Sequence, residues 1–282
     1  MTSRQLHRII NSQATTDGAG VKIQRSLGAG PMLRHDPFLM LDEFYSDNPD
    51  DYIAGFPSHP HRGFETVTYM LDGHMRHEDH MGNRGDLGPG DVQWMTAARG
   101  IIHSEMPQQT EGRMRGFQLW INLPGAEKMK PASYCDIPSR DIPEVALESG
   151  GHVRIIAGTF SQDGVETAGP IRGLSTEPVY FDVVLPESGT FETSLASEHN
   201  AFIYLYEGTL TIGDDVVPER AAGVLTSGEQ LTVTAGVDGA KFLLLAAKPI
   251  GEPVAQYGPF VMNSRDELEQ ALADYRDGRL TA

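Results

Sequence analysis

Two short sequence pairs carry the side chains best suited to bind a metal ion. His59-Pro60-His61 and His103-Ser104-Glu105 each place two metal-binding groups at positions i and i+2. On an extended strand, positions i and i+2 point to the same face of the sheet. If the two strands face each other, three imidazoles and one carboxylate converge on one point. Such a donor set is typical of a mononuclear non-haem metal site with room for a substrate.

The elements that must position these pairs are strands of an all-β protein. The chain of 282 residues contains 31 Gly and 18 Pro, and its apolar residues occur in short runs between turn signals. This texture is typical of a β-fold with many turns, and the length fits one large or two medium domains. The alternating run 65–71 ends at Asp72-Gly73, which predicts a β-hairpin. Pro60 cannot donate a ladder hydrogen bond, so its strand is expected at an edge, at a bulge or near its beginning.

The second half of the chain repeats this style and then ends in a helix. Predicted strands cover 152–158, 179–185, 201–212, 222–226 and 241–247. The turn predicted at 206–208 is similar to that at 70–73, which favours two copies of one β-architecture. Residues 125–143 are rich in proline and charge and are interpreted as a crossover between the domains. Residues 264–279 have helical spacing, with a capping box from Ser264 to Glu267 and a stop at Gly278.

Charge and composition exclude several classes of partner. The chain carries 22 basic and 39 acidic residues, a net charge of −17, with no concentrated basic patch. Because DNA affinity comes largely from basic side chains that neutralise phosphates, direct nucleic-acid binding is not expected. No run approaches the roughly 18 apolar residues of a membrane span, and no signal peptide is recognisable. The single cysteine, Cys135, has no partner and fits a reducing compartment, so we expect a soluble cytoplasmic protein without a membrane partner.

Longer blocks of sequence resemble a known family. HPHRGFETVTYMLDG, residues 59–73, resembles the first cupin motif, and GDLGPGDVQWMTAARGIIHSE, residues 85–105, resembles a lengthened second one. Together with LWINLPGAEKM and the terminal GPFVMNSRDELEQALADYRDGRL, they resemble the pirin family. This resemblance implies two stacked jelly-roll barrels, a bicupin, with a metal in the N-terminal barrel alone. The expected division is 1–135 for the metal-binding cupin and 136–282 for a cupin without ligands that ends in the helix.

The same resemblance implies an iron site whose ligands are His59, His61, His103 and Glu105. Mixed imidazole and carboxylate ligands suit Fe(II), and Mn, Co, Ni, Cu or Zn are alternatives. In many cupins the carboxylate shortly after the first histidine pair is itself a ligand, and Glu65 has that spacing. The pirin resemblance favours Glu105, which leaves Glu65 a supporting carboxylate.

The remaining candidates are weaker. Pocket roles are possible for Phe56, Arg62, Trp94 and Gln118. The histidines that follow the predicted hairpin are interpreted as part of a solvated loop near the cavity mouth, with a surface metal site as the alternative: His74, His77 and His80. Residues 180–247 contain one histidine, His199, and neither type of pair, so the second barrel is expected to serve packing and shape.

Two functions follow from the resemblance. The first is a quercetin 2,3-dioxygenase, in which Glu105 takes the flavonol hydroxyl proton and O₂ opens the ring with release of carbon monoxide. The alternative is a non-enzymatic, redox-sensing co-regulator that acts through a protein partner. An enzyme needs a cavity wide enough for an aromatic substrate beside the metal, whereas a sensor can be closed.

Overall fold

The computed structural model describes residues 2–282 and consists mainly of β-strands. The strands of the first half are β1 Leu6–Asn11, β2 Gln13–Asp17, β3 Val21–Arg25, β4 Phe38–Ser46, β5 Phe56–His61, β6 Phe64–Asp72, β7 Met75–Asp79, β8 Arg84–Leu87, β9 Val92–Thr96, β10 Ile101–Pro107, β11 Met114–Asn122 and β12 Ser133–Ile137. The second half contains β13 Glu144–Ala146, β14 His152–Ala157, β15 Thr159–Gln162, β16 Val165–Ala168, β17 Val179–Leu185, β18 Thr190–Ser194, β19 Asn200–Ile212, β20 Asp215–Val217, β21 Ala221–Leu225, β22 Gln230–Ala247, β23 Ala255–Tyr257, β24 Phe260–Met262 and the helix α1 Arg265–Arg276. Among residues 2–282, no helix is long and apolar enough to cross a membrane.

The chain forms two compact units. The unit called here the first barrel comprises Ala14–Gly28, Phe38–Ser139 and Ile250–Ala282. Among the described residues, the second barrel comprises 2–13, Ala29–Pro37 and Arg140–Pro249. The all-β fold with two cupin barrels and one C-terminal helix is confirmed.

The first barrel is built from two antiparallel sheets. One has the order β12-β9-β6-β11-β4-β3-β2, and the other has the order β5-β10-β7-β8. β5 lies at an edge of the smaller sheet, as the proline in the first ligand pair predicts. The hairpin predicted at Asp72-Gly73 is wrong, because β6 belongs to the larger sheet and β7 to the smaller one. The turn instead carries the chain from one wall of the barrel to the other.

The second barrel has an interior filled with apolar side chains. Its nine-stranded sheet contains the path β1-β21-β19-β22-β17-β14-β13. The interior cluster includes Phe181, Phe191, Ile203 and Phe242, each at most 1% exposed. The turn predicted at 206–208 is also wrong: β19 continues through it, with a register shift after Gly208. The second barrel is therefore a packed core, as expected from its lack of ligand pairs.

The C-terminal segment returns to the first barrel, which differs from the predicted division at 135/136. The backbone N–H of Val261 donates to Arg62 O at 3.0 Å, and Arg62 N–H donates to Pro259 O at 3.2 Å. Helix α1 has the predicted capping box at Ser264 and buries Ala271 against Phe260. Its docking follows from these apolar contacts, which a division by sequence order does not anticipate.

The proline- and charge-rich region 125–143 is more structured than a crossover. Ser133–Ile137 forms β12 and pairs with β9 along its whole length, at the edge of the larger sheet. Cys135 lies within this strand and is exposed. Edge strands tolerate polar side chains because one face of the strand meets water, which explains the missing apolar period.

Candidate metal centre

The two ligand pairs lie on adjacent strands of the smaller sheet. β5 and β10 run antiparallel, and His103 is directly opposite His59. Because side chains alternate along each strand, His61 shares the face of these two residues. One nitrogen from each of the three histidines lies within 4.8 Å of the others. Three of the expected ligands are therefore brought together.

The hydrogen bonds of His59 leave one nitrogen free for a metal. Its Nδ1 lies 2.8 Å from Pro57 O, and a carbonyl only accepts, so Nδ1 carries the proton. The lone pair is then on Nε2, which lies 3.0 Å from His61 Nε2. Two ring nitrogens at this distance, both turned to one point, fit a shared positive ion.

His61 and His103 are held in the neutral form that metal binding requires. Burial lowers the pKa of His61 well below its ordinary value, and positive charge on His59 would lower it further. Burial, with the neighbouring imidazoles, does the same to the pKa of His103. Within residues 2–282, His103 Nε2 is buried without a hydrogen-bond partner. A buried, unpaired acceptor costs stability unless another group binds it, so this atom fits a ligand position.

Aromatic side chains fix the orientation of His61. Its ring contacts Phe64 edge-on, with ring centroids 5.1 Å apart, and Trp120 in the same manner at 5.3 Å. These edge-to-face contacts are the preferred geometry for ring pairs and restrict rotation of the imidazole. Packing thus holds the His61 ring in place, although its Nδ1 has no hydrogen-bond partner among the described residues.

Glu105 lies beside the histidines but outside their closest group. It is 5% exposed and is part of the cavity wall. The Thr68 hydroxyl lies 2.9 Å from Glu105 Oε1 and 2.8 Å from Gln118 Oε1. Thr68 therefore links the carboxylate to a polar side chain on β11. Glu105 as the fourth ligand stays a prediction.

An open cavity of about 600 Å³ is lined by His59 and His61. The polar groups of the wall include Glu105, Gln118 and Asp42, which lies directly opposite Gln118 and accepts from Arg25 at 2.8 and 2.6 Å. The wall also contains apolar side chains: Ile23, Met40, Phe44, Phe56 and Trp120. This size and lining are typical of a site for a small organic ligand.

The structure separates the four pocket candidates. Phe56 and Gln118 line the cavity, whereas Arg62 and Trp94 do not. Arg62 is 3% exposed and donates to Asp274 Oδ2 at 2.8 Å and to Leu280 O at 3.0 Å, so it anchors the C-terminal segment. Trp94 pairs with Val67 in the sheet. Alternation places that pair on the face opposite Thr68, away from the cavity.

Glu65 also lies on the face opposite the cavity. It alternates with Thr66 and Thr68 on β6, and it accepts a hydrogen bond of 2.6 Å from Thr96 Oγ1. Burial raises the pKa of Glu65. Glu65 is therefore unsuited to bind the metal for two reasons. Burial favours its neutral form, and its side chain lies on the sheet face away from the cavity.

The interpretation of the histidines after the turn is wrong for His77. His77 is fully buried on β7, directly opposite Glu105 on β10, and its Nδ1 lies 3.2 Å from His103 Nδ1. A signal was present in the sequence: His77-Glu78-Asp79 is a third pair of metal-capable side chains at i and i+2. It was missed because the neighbouring polar residues suggested a loop.

Comparisons with known proteins agree with this architecture. The sequence model of the pirin family matches residues 20–121, and that of the pirin C-terminal cupin domain matches residues 180–281. A Pseudomonas aeruginosa protein, provisionally named quercetin 2,3-dioxygenase, is 53% identical over 98% of each chain. Human pirin is 38% identical over 99% of this chain and 94% of its own.

Solved structures extend the comparison to three dimensions. The crystal structure of quercetin 2,3-dioxygenase from Acinetobacter baumannii has a TM-score of 0.89 and 30% identity, with 99% of each chain covered. The bacterial pirin YhhW from Escherichia coli, solved in complex with nickel(II), has a TM-score of 0.66 and 18% identity over 86% of this chain and 98% of its own. At that identity the second match supports the fold alone.

Proposed function

Because this chain belongs to the pirin family, and because its first barrel joins converging imidazoles to an open cavity, we propose that it is a metal-dependent dioxygenase. The proposed reaction cleaves a flavonol such as quercetin with O₂ and releases carbon monoxide. The observation that carries the proposal is the cavity of about 600 Å³ lined by His59 and His61, two of the three converging histidines. A site closed to organic ligands would instead favour the redox-sensing alternative.

The proposed cofactor is one divalent metal ion, with Fe(II) preferred. His59, His61 and His103 would hold it through neutral imidazole nitrogens, with Glu105 as the fourth ligand. Three imidazoles and one carboxylate suit Fe(II) and related first-row metals. When bound, the ion would supply Lewis-acid positions and the electron chemistry needed for a reaction with O₂.

Glu105 is the proposed general base. It is the carboxylate of the cavity wall that lies on the same strand face as His103, and the Thr68 hydroxyl 2.9 Å away fixes one of its oxygens. The 3-hydroxyl of a flavonol must lose its proton to become electron-rich toward O₂. A positioned carboxylate within hydrogen-bond reach can accept that proton.

The cavity wall fits the shape of a flavonol. The apolar region formed by Phe44, Phe56 and Trp120 would contact the flat rings. The neighbouring polar groups of Gln118 and the Arg25–Asp42 pair would meet hydroxyl groups on the substrate. Aromatic walls with a few polar contacts are typical of sites for such ligands.

The test is turnover of quercetin under air by metal-free protein reloaded with Fe(II), followed by loss of flavonol absorbance and by detection of carbon monoxide. General-base catalysis contributes about 100- to 10,000-fold, so Glu105→Gln is expected to lower kcat by at least about 100-fold. Glu65→Gln is the matched control, since Glu65 is also buried but lies on the opposite strand face, and it should retain activity. His103→Ala should abolish both metal binding and turnover.

One result would refute the dioxygenase proposal, and a second would refute the role of Glu105 as its general base. The first is absence of turnover with Fe, Mn, Co, Ni, Cu and Zn in protein that is shown to bind the metal. The second is equal activity of the Glu105→Gln and wild-type proteins, which would remove Glu105 from the chemistry.

A further inference from the structure

A line of buried polar side chains extends from His103 through His77 to Asp79, and neither His77 nor Asp79 lines the cavity. His77 is fully buried on β7, which pairs with β10. Its Nδ1 lies 3.2 Å from His103 Nδ1, and its Nε2 lies 3.6 Å from Asp79 Oδ2. The side chains of both His77 and Asp79 have no exposed surface. This line ends at Nδ1 of His103, whereas Nε2 of His103 is left for the metal position.

The contact between the two imidazoles fixes the position of their protons. His103 Nε2 must carry a lone pair to bind a metal, so its single proton is on Nδ1. That N–H can donate only if His77 Nδ1 is an unprotonated acceptor. The proton of neutral His77 is then on Nε2, the nitrogen that faces Asp79.

The surroundings hold this arrangement in place. Asp79 Oδ1 accepts from the backbone N–H of Met81 at 2.9 Å and of Asn83 at 3.0 Å. Asp79 Oδ2 accepts from the Asn83 side-chain amide at 2.8 Å. The ring of Tyr134 stacks on His77, with centroids 4.6 Å apart and planes inclined by 29°. The carboxyl group of Asp79 is thus held in place by three hydrogen bonds, and the plane of the His77 ring is set by packing.

We propose that His77 is a positioning residue for the metal centre: it accepts the Nδ1 proton of His103 and so presents His103 Nε2 to the metal. Asp79 supports the required form of His77, because its carboxylate attracts the Nε2 proton. Partners of this kind orient ligating histidines and increase their basicity. The inference rests on the metal site of the proposed function but not on dioxygenase turnover.

The first measurement is zinc affinity, by competition with a chromophoric chelator in metal-free protein. His77→Phe keeps a planar ring but removes the acceptor, and loss of such a partner costs about 10- to 100-fold in affinity. His77→Asn can place its side-chain oxygen near the lost Nδ1, so it should retain most of the affinity that His77→Phe loses. Tyr134→Phe is the matched control, since it retains ring stacking on His77 and should bind zinc as the wild type does.

The second measurement is the tautomer of each ring in zinc-loaded wild-type protein, from two-bond ¹H–¹⁵N correlations of the imidazoles. We expect His103 protonated at Nδ1 and His77 protonated at Nε2. The reverse tautomer of His77, or zinc bound through His103 Nδ1, would overturn the proposal.

Equal zinc affinity of His77→Phe and wild type would also overturn it, as would equal weakening by His77→Phe and Tyr134→Phe, which would indicate packing alone. If circular dichroism shows that His77→Phe does not fold, the proposal is tested by the tautomers of the wild-type protein and by the zinc affinity of His77→Asn. If the expected order of zinc affinities is found while no protein cleaves quercetin, the dioxygenase proposal fails and the role of His77 stands.

Discussion

Replacing Gly63, a buried residue in a bend between two strands, with alanine is expected to destabilise the first barrel strongly. Gly63 follows the first ligand pair directly and has φ of +93°. A Cβ at this position would lie 1.9 Å from Val261 O, within the C-terminal segment. The Cβ is fixed rigidly to the backbone of residue 63, and Val261 O is itself a backbone atom. The clash can therefore be relieved only by moving one chain segment away from the other.

The expected cost has two parts. A non-glycine residue in the left-handed region costs about 1–2 kcal/mol. Separating the segments also disturbs the buried Lys128 ammonium, which donates to Gly63 O at 2.7 Å and to Val261 O at 3.0 Å. Hydrogen bonds to charged groups are each worth about 1.5–3 kcal/mol, so loss of one brings the total to about 3–5 kcal/mol.

Gly82→Ala provides the matched control. Gly82 has φ of +84°, and a Cβ there would meet nothing within 4 Å. It should therefore show the conformational cost of about 1–2 kcal/mol without the clash. Urea unfolding of metal-free protein measures both variants, with intrinsic fluorescence and circular dichroism as separate probes. Equal destabilisation by the two substitutions would refute the close approach of Val261 as the cause.

Three further perturbations test other parts of the structure. Ser264→Ala removes the side-chain acceptor of the α1 capping box and should lower stability by about 0.5–2 kcal/mol in thermal unfolding. Burial lowers the pKa of Lys128 to about 8 from an ordinary value of 10.5, so between these pH values the unfolded chain binds the extra proton. The free energy of unfolding should therefore rise with pH across that window, by on the order of 1–3 kcal/mol. A Lys128→Met variant should lack this rise when the free energies of unfolding of the two proteins are compared at each pH. Trp120→Leu removes an aromatic contact worth about 0.5–1.5 kcal/mol and should lower kcat/KM for quercetin about 2- to 10-fold. Trp94→Phe, on the strand face away from the cavity, should leave kcat/KM unchanged. Equal effects of the two substitutions would contradict the placement of the two rings.

Much of the fold could be predicted from local sequence signals. The capping box at Ser264 and Glu267 identified α1, because its hydrogen bonds involve residues only three positions apart. Short apolar runs between turn residues identified the β-rich class. The turn at Gly73 showed the limit of this reasoning, since a glycine with φ of +88° suits both a hairpin and a passage between sheets. Which strands pair across the barrel is decided by long-range packing.

The candidate site could likewise be predicted only in part from local sequence signals. The i and i+2 spacing of His59 and His61 gave them a common face, since alternation is a property of any single strand. Gln118 and Phe56 line the cavity, whereas Arg62, adjacent to His61 in the chain, does not. Its side chain leaves the strand toward Asp274, a residue 212 positions later in the chain. Sequence proximity to a ligand did not indicate the direction of that side chain.

The spacing of the two residue pairs and the longer family blocks were sufficient to predict a group of histidines that could hold a metal ion, because metal-binding chemistry depends on residue type and strand alternation. The tertiary structure decided what surrounds that group. It placed Glu65 and Trp94 on the far face of their sheet, filled the second barrel with apolar side chains and left a cavity in the first. It also brought His77 against His103 by pairing β7 with β10. These outcomes depend on which strands become neighbours, and the balance of burial and hydrogen bonding that selects neighbours is a property of the whole chain.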